Sequence, residues 1–139
     1  MDINFYTKWI SYFFFALAAL IHLIFFIYES FILQKPEQAQ RLGLTADQHS
    51  AMKPWAFNQG FYNLFLAVQM MIGLYYVNKL RPDIAGPLTG LAGLFMLVAG
   101  LILFFSTSKN QKKMRTGALI QLVPPALGFF FLMFHIFNR

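Results

Sequence analysis

The chain has 139 residues, one domain's worth, and is 58% apolar but only 12% charged, against about 25% charged in soluble domains. Eighteen phenylalanines exceed what so small a water-soluble domain could bury, because a short chain has too much surface for its volume; this excludes an ordinary soluble globule. The net charge of +6 sits in short segments between apolar runs, where topology determinants and headgroup contacts belong, and it does not form a nucleic-acid-binding face.

Apart from tyrosines, the first apolar run, about 9–33, carries only His22 and Glu29 as ionisable residues. Lys8, the apolar stretch after it and the triplet Ala16-Leu17-Ala18 imitate a secretory signal, but the run continues well past the triplet and is too long for one. The connection from Gln34 to Pro54 is the longest. Within it Thr45-Ala46-Asp47-Gln48 has the spacing of a capping box, which predicts a short amphipathic surface helix over about 45–52. Pro54 then suits the first turn of a second span, about 55–77, with Trp55 at the interface. Arg81-Pro82-Asp83 reads as a turn before a third span over about 85–105. Ser106 to Thr116 is a polar, basic loop before a fourth span over about 117–137.

Each span has roughly the 20 residues that a hydrocarbon core of about 30 Å requires. The runs are continuous and unalternating, which excludes strands. The expected fold is all-α, a single membrane domain of four transmembrane helices with the short helix in the first loop. The first and third connections hold Lys35, Arg41, Lys53, Lys109, Lys112, Lys113 and Arg115, against Lys8, Lys79, Arg81 and Arg139 on the other side. The positive-inside rule places the first and third connections in the cytoplasm of a multi-pass cell-membrane protein, the inner membrane if the source is bacterial.

Polar residues inside the spans locate a candidate site. At 1.5 Å per residue, Glu29, Asn58, Gln59, Asn63 and Gln121 all fall in the bilayer half beneath the basic loops, with His22 deeper. The other half reads as nearly pure hydrocarbon. His22 and Glu29 are seven residues apart, on one helix face and about 10 Å from each other. Asn58 points roughly opposite Asn63. The strip Gly86, Gly90, Gly93 and Gly100 allows close helix approach, within the chain or at a homo-oligomer seam. Pro124 and Pro125 free backbone carbonyls just after Gln121.

No cofactor is expected. There is no cysteine, no His/Asp/Glu cluster has metal-ligand spacing, and His135 lies too far from the depth of His22 to share a haem. His49 reads as a solvated loop side chain. Three functions fit the remaining polar groups. The first is a pocket for a small apolar or amphiphilic molecule, needing only a cavity and a few convergent polar groups. The second is acid–base chemistry on a flat lipid-like molecule held between Glu29 and His22, by analogy with sterol-isomerising membrane proteins. The third is interhelical glue. The expected partners are membrane lipids and a small apolar ligand.

His22, Glu29, Pro36, Gly43-Leu44, the run Asn58-Gln59-Gly60-Phe61-Tyr62-Asn63-Leu64-Phe65-Leu66-Ala67, and Gln121 with Pro124 together resemble a family of small four-helix integral membrane proteins. It is the bacterial and fungal family known as domain of unknown function thirteen-oh-four. The chain departs from the family pattern at Ser30, Leu33 and Pro125. The resemblance implies fold and membrane location and no activity. It covers nearly the whole chain, including His22, Glu29, Asn58, Gln59, Tyr62, Asn63 and Gln121.

Overall fold

Backbone groups in lipid have no water to bond, so a chain of this composition must satisfy them within each span, as helices do. The computed structural model describes residues 3–138; Arg139, counted above for orientation, lies outside them. Four long helices result: α1 (Ile3–Ile27, continued by a π-helical turn, Tyr28–Ile32), α3 (Ala46–Asn78), α4 (Pro82–Ser106) and α5 (Lys112–Phe137). A short helix, α2 (Pro36–Arg41), lies in the first connection. All four long helices are long and apolar enough to cross a bilayer. The protein is an all-α membrane protein with four candidate spans and no strand among its described residues.

The helices form a four-cornered bundle. α1 packs on α3 and α5, and α4 closes the square by packing on the same two, with little contact across the diagonal. Each corner seam holds a glycine whose missing Cβ lets two backbones approach. A Cβ at Gly60 would meet Ser30 of the first helix, one at Gly73 would meet Thr89, one at Gly100 would meet Leu122, and one at Gly128 would meet Phe15. Small residues at such contacts are how membrane helices gain packing without a hydrophobic driving force. The core between the seams is small and adaptable: Ala18, Ala19, Ala67 and Ala92 around Phe15, Met70 and Met96.

The expected glycine strip on α4 is only half used. Gly93 packs on Phe15 and Phe129, and Gly100 on Leu122, but nothing in the chain lies within 4 Å of a Cβ at Gly86 or Gly90. Gly86 is seven residues before Gly93 and close to its face, but it lies near the helix end, where it lines an open cleft with Tyr12 of α1 and Leu132 of α5.

The first connection also differs from its expected form. The capping box is present, with Gln48 N–H donating to Thr45 Oγ1 at 3.2 Å and Thr45 N–H to Gln48 Oε1 at 2.9 Å. The helix it starts does not stop near Met52, however; it runs unbroken through Pro54 into the second span. Proline removes one helical hydrogen bond, but contacts to the end of the first helix hold these turns in place. His49 Nε2 donates to Leu33 O at 2.9 Å, and Gln34 Nε2 donates to Lys53 O at 3.3 Å. His49 is therefore a buried docking residue and not a solvated one. The separate short helix is Pro36–Arg41, with proline in its first turn and Gly43 at φ 78° after its end, the usual asymmetry of helix termini.

Candidate functional site

The site forms where the first helix changes pitch. Over Tyr28–Ile32 the α-helix becomes a π-turn, closed by Leu33 N–H on Tyr28 O at 2.7 Å. The π-turn ends the helix, and such wide turns occur at helix C-termini. This one is pinned on two sides. The buried Ser30 hydroxyl donates to Phe57 O at 3.2 Å, directly beside the Gly60 contact. Gln34 Nε2 donates to Glu29 O at 2.8 Å. Glu29 thus projects from a backbone fixed by α3.

Its carboxyl belongs to a chain of three side chains. Asn63 Nδ2 donates to Glu29 Oε2 at 2.8 Å, and His22 Nδ1 lies 2.7 Å from Asn63 Oδ1. An amide oxygen only accepts, so His22 Nδ1 must carry the hydrogen and donate. With Glu29 ionised, flipping the amide would set its oxygen against a carboxylate oxygen, so this orientation goes with the carboxylate form of Glu29. In the neutral ring, Nε2 then holds the lone pair. That nitrogen is buried and takes no hydrogen bond, on a side chain 0% exposed. Asn63 is 3% exposed, so the bridge lies inside the bundle.

Glu29 is the end of this chain that meets open space. A cleft of about 530 Å³ is lined by Glu29 and Leu33 from the first helix, by Met52, Trp55, Asn58, Gln59 and Tyr62 among others from α3, and by Met114 from α5. Asn58, Gln59 and Tyr62 make no hydrogen bond with the other described residues, so their polar groups belong to the cleft. Asn58 accompanies Gln59 here and does not point away from the site.

The remaining expected site residues fall differently. His22 and Asn63 are buried and do not line the cleft; they connect to it through Glu29. Gln121 is buried on α5, level with His22, between the contacts of Gly117 with Phe25 and Gly128 with Phe15. It takes no part in the hydrogen-bonded chain. The space between Glu29 and His22 is filled by the Asn63 amide, so a flat molecule does not fit between them. His135 lies on α5 beyond the Gly128–Phe15 contact, far from the level of His22. Among the described residues no three His, Cys, Asp or Glu side chains are grouped to hold a metal ion.

Several polar contacts in the other half were missed. Ser11 Oγ donates to Gly128 O at 2.8 Å, Gln69 Nε2 to Leu88 O at 3.3 Å, and Thr89 Oγ1 to Ala85 O at 2.7 Å. That half is not pure hydrocarbon, although each of these groups bonds to a backbone carbonyl and none joins a side-chain network. The apolar lining of the cleft, Leu33, Met52, Ala56 and Met114, carried no sequence signal that would separate it from other apolar positions.

The family described as "Protein of unknown function (DUF1304)" matches residues 16–133, and the chain belongs to that family. No curated protein and no solved structure matches the chain.

Proposed function

We propose that the protein binds a small apolar or amphiphilic molecule in the cleft at Glu29, in one half of the bilayer. The observation that carries this reading is the Glu29–Asn63–His22 chain ending at the cleft. Glue between helices requires one bond across one seam, as Ser11 makes to Gly128. Here a carboxyl, an amide and an imidazole are linked, and the ionisable end lines a cavity. Ionisable groups at membrane depth are costly and tend to mark sites, and a cleft of this size lies within the usual range for small ligands, about 300–1,000 Å³.

The test is mass spectrometry of small molecules retained by the purified protein. Glu29→Gln keeps an oxygen that accepts from Asn63 Nδ2 but removes the ionisable group. It is expected to leave the melting temperature nearly unchanged and to lose most of the retained molecule. Equal ligand content in the variant would sink the reading.

The charge count supports an orientation for the cleft. Seven Lys and Arg lie in the first and third connections, against four on the opposite side, so in the proposed topology the cleft opens in the cytoplasmic leaflet of the cell membrane. Since the chain has no cysteine, Ser108→Cys provides a clean probe of the third connection. A membrane-impermeant maleimide is expected to label it only after the membrane is permeabilised. Labelling in intact cells would reverse the orientation.

A further inference from the structure

We infer that the ligand's head group is an ammonium, the molecule being a single-chain alkylammonium amphiphile; this rests on the cleft being a ligand site. The inference comes from the charge and chemistry of the cleft lining. Glu29 is the only ionisable carboxyl or amine among the residues that line it, and no Lys or Arg does. One carboxyl oxygen, Oε2, is held by Asn63, which orients the group. The other takes no hydrogen bond from the described protein, and it is available to a cation.

Two aromatic residues share the cleft with it. Trp55 is 75% exposed and Tyr62 is 52% exposed, and both line the cleft. A cleft that combines a carboxylate with exposed aromatic side chains offers the chemistry that holds an ammonium, through charge and through attraction to the ring quadrupole. The carbonyl oxygens of Asn58 and Gln59 add acceptors for N–H or polarised C–H groups. Leu33, Met52 and Met114 supply an apolar wall against which the first methylenes of a chain can lie, and methionine adapts to irregular shapes.

The same arrangement disfavours the other common head groups. A carboxylate or phosphate would meet Glu29 with no countercharge in the cleft, and like charges at close range repel strongly in a medium of low dielectric constant. A neutral alcohol can donate to Glu29 but gains nothing from the two rings. Specificity here comes from what the cleft lacks as well as from what it holds.

Trp55 makes the inference directly measurable. The chain has two tryptophans, so Trp9→Phe leaves Trp55 as the sole reporter, inside the cleft. In neutral maltoside micelles and a mildly alkaline buffer, that protein is titrated separately with dodecyltrimethylammonium, dodecanol and dodecanoate. A saturable change in Trp55 emission is expected with the ammonium, at concentrations about tenfold or more below those needed for the other two. Glu29→Gln is expected to weaken the ammonium response by a similar factor. Tyr62→Leu, at an exposed position where folding is not at risk, is expected to weaken it several-fold.

Saturable binding of all three amphiphiles with similar affinity, unaffected by Glu29→Gln and Tyr62→Leu, would overturn the ammonium assignment and leave the ligand site standing. Tighter binding of dodecanoate would also overturn the assignment. Absence of a saturable response to any of the three would overturn both readings.

Discussion

Gly60→Ala is expected to destabilise the protein by about 3 kcal/mol, near the upper end of ordinary overpacking, whereas Gly86→Ala is expected to be neutral. The two substitutions add the same methyl group to helices of the same bundle. At Gly60 the new Cβ would collide with the Ser30 hydroxyl and would stand 3.1 Å from Phe26 O and from Ser30 N. Two of those three atoms are backbone, held in the helix and its π-turn, and cannot swing aside. At Gly86 nothing lies within 4 Å. The consequence at Gly60 reaches the site, since α3 must move away from the turn that carries Glu29, stretching the bond from Asn63. Thermal unfolding in detergent distinguishes the cases. Ser30→Ala combined with Gly60→Ala should recover only part of the loss, because the backbone contacts remain. Full recovery would mean that the hydroxyl alone sets the close approach.

Asn63→Leu is the second large effect. Asn63 bonds to His22 on one side and Glu29 on the other, so removing it leaves both nitrogens of the buried imidazole unmatched and takes from the Glu29 carboxyl its one donor among the described residues. An unsatisfied buried polar group costs about 1–3 kcal/mol in water-soluble proteins. In membranes interhelical bonds average about 0.6 and reach about 1.7 kcal/mol, because the unfolded chain in the bilayer also finds partners. With two groups stranded, a loss of about 2 kcal/mol is expected. The double variant His22→Leu, Asn63→Leu should be more stable than the sum of the single losses predicts, since the pair is coupled. Thermal melts of the four proteins in this cycle measure that coupling. Strict additivity would mean that no His22–Asn63 bond exists.

The spans were legible in the sequence because lipid imposes one strong rule, a continuous apolar run of sufficient length, and the runs around His22, Asn63, Gly93 and Gln121 obey it. The polar residues stood out for the same reason, and Glu29 with Asn63 and His22 could be placed at adjacent levels by counting residues. What counting could not supply was the partner of each group. Glu29 and His22 looked like two ends of a space for a substrate, and Asn63 occupies that space. The π-turn has no known residue signature here, and it alters which way Glu29 points relative to a regular helix.

Pro54 misled in a different way. A proline is a weak local signal that tertiary contacts override, and His49 on Leu33 O with Gln34 on Lys53 O are contacts between segments that the sequence does not show as neighbours. By contrast, Pro36 and Gly43 bracket a helix by ordinary terminal chemistry. That signal was readable, but the segment is too short to show periodicity. Glycines were the least legible, because the same residue type closes a seam at Gly60 and faces open space at Gly86.

The central claim, that Glu29 and the groups behind it serve a ligand and do not merely hold helices together, is tested most directly by comparing two variants. Ser11→Ala removes a buried interhelical bond in the opposite half; Glu29→Gln keeps its bond and changes only the cleft. Stability and retained small-molecule content are measured on both. The ligand reading predicts that Ser11→Ala melts lower but keeps its ligand, while Glu29→Gln melts as the parent does and loses it. Ligand content that simply follows stability in both variants would contradict it.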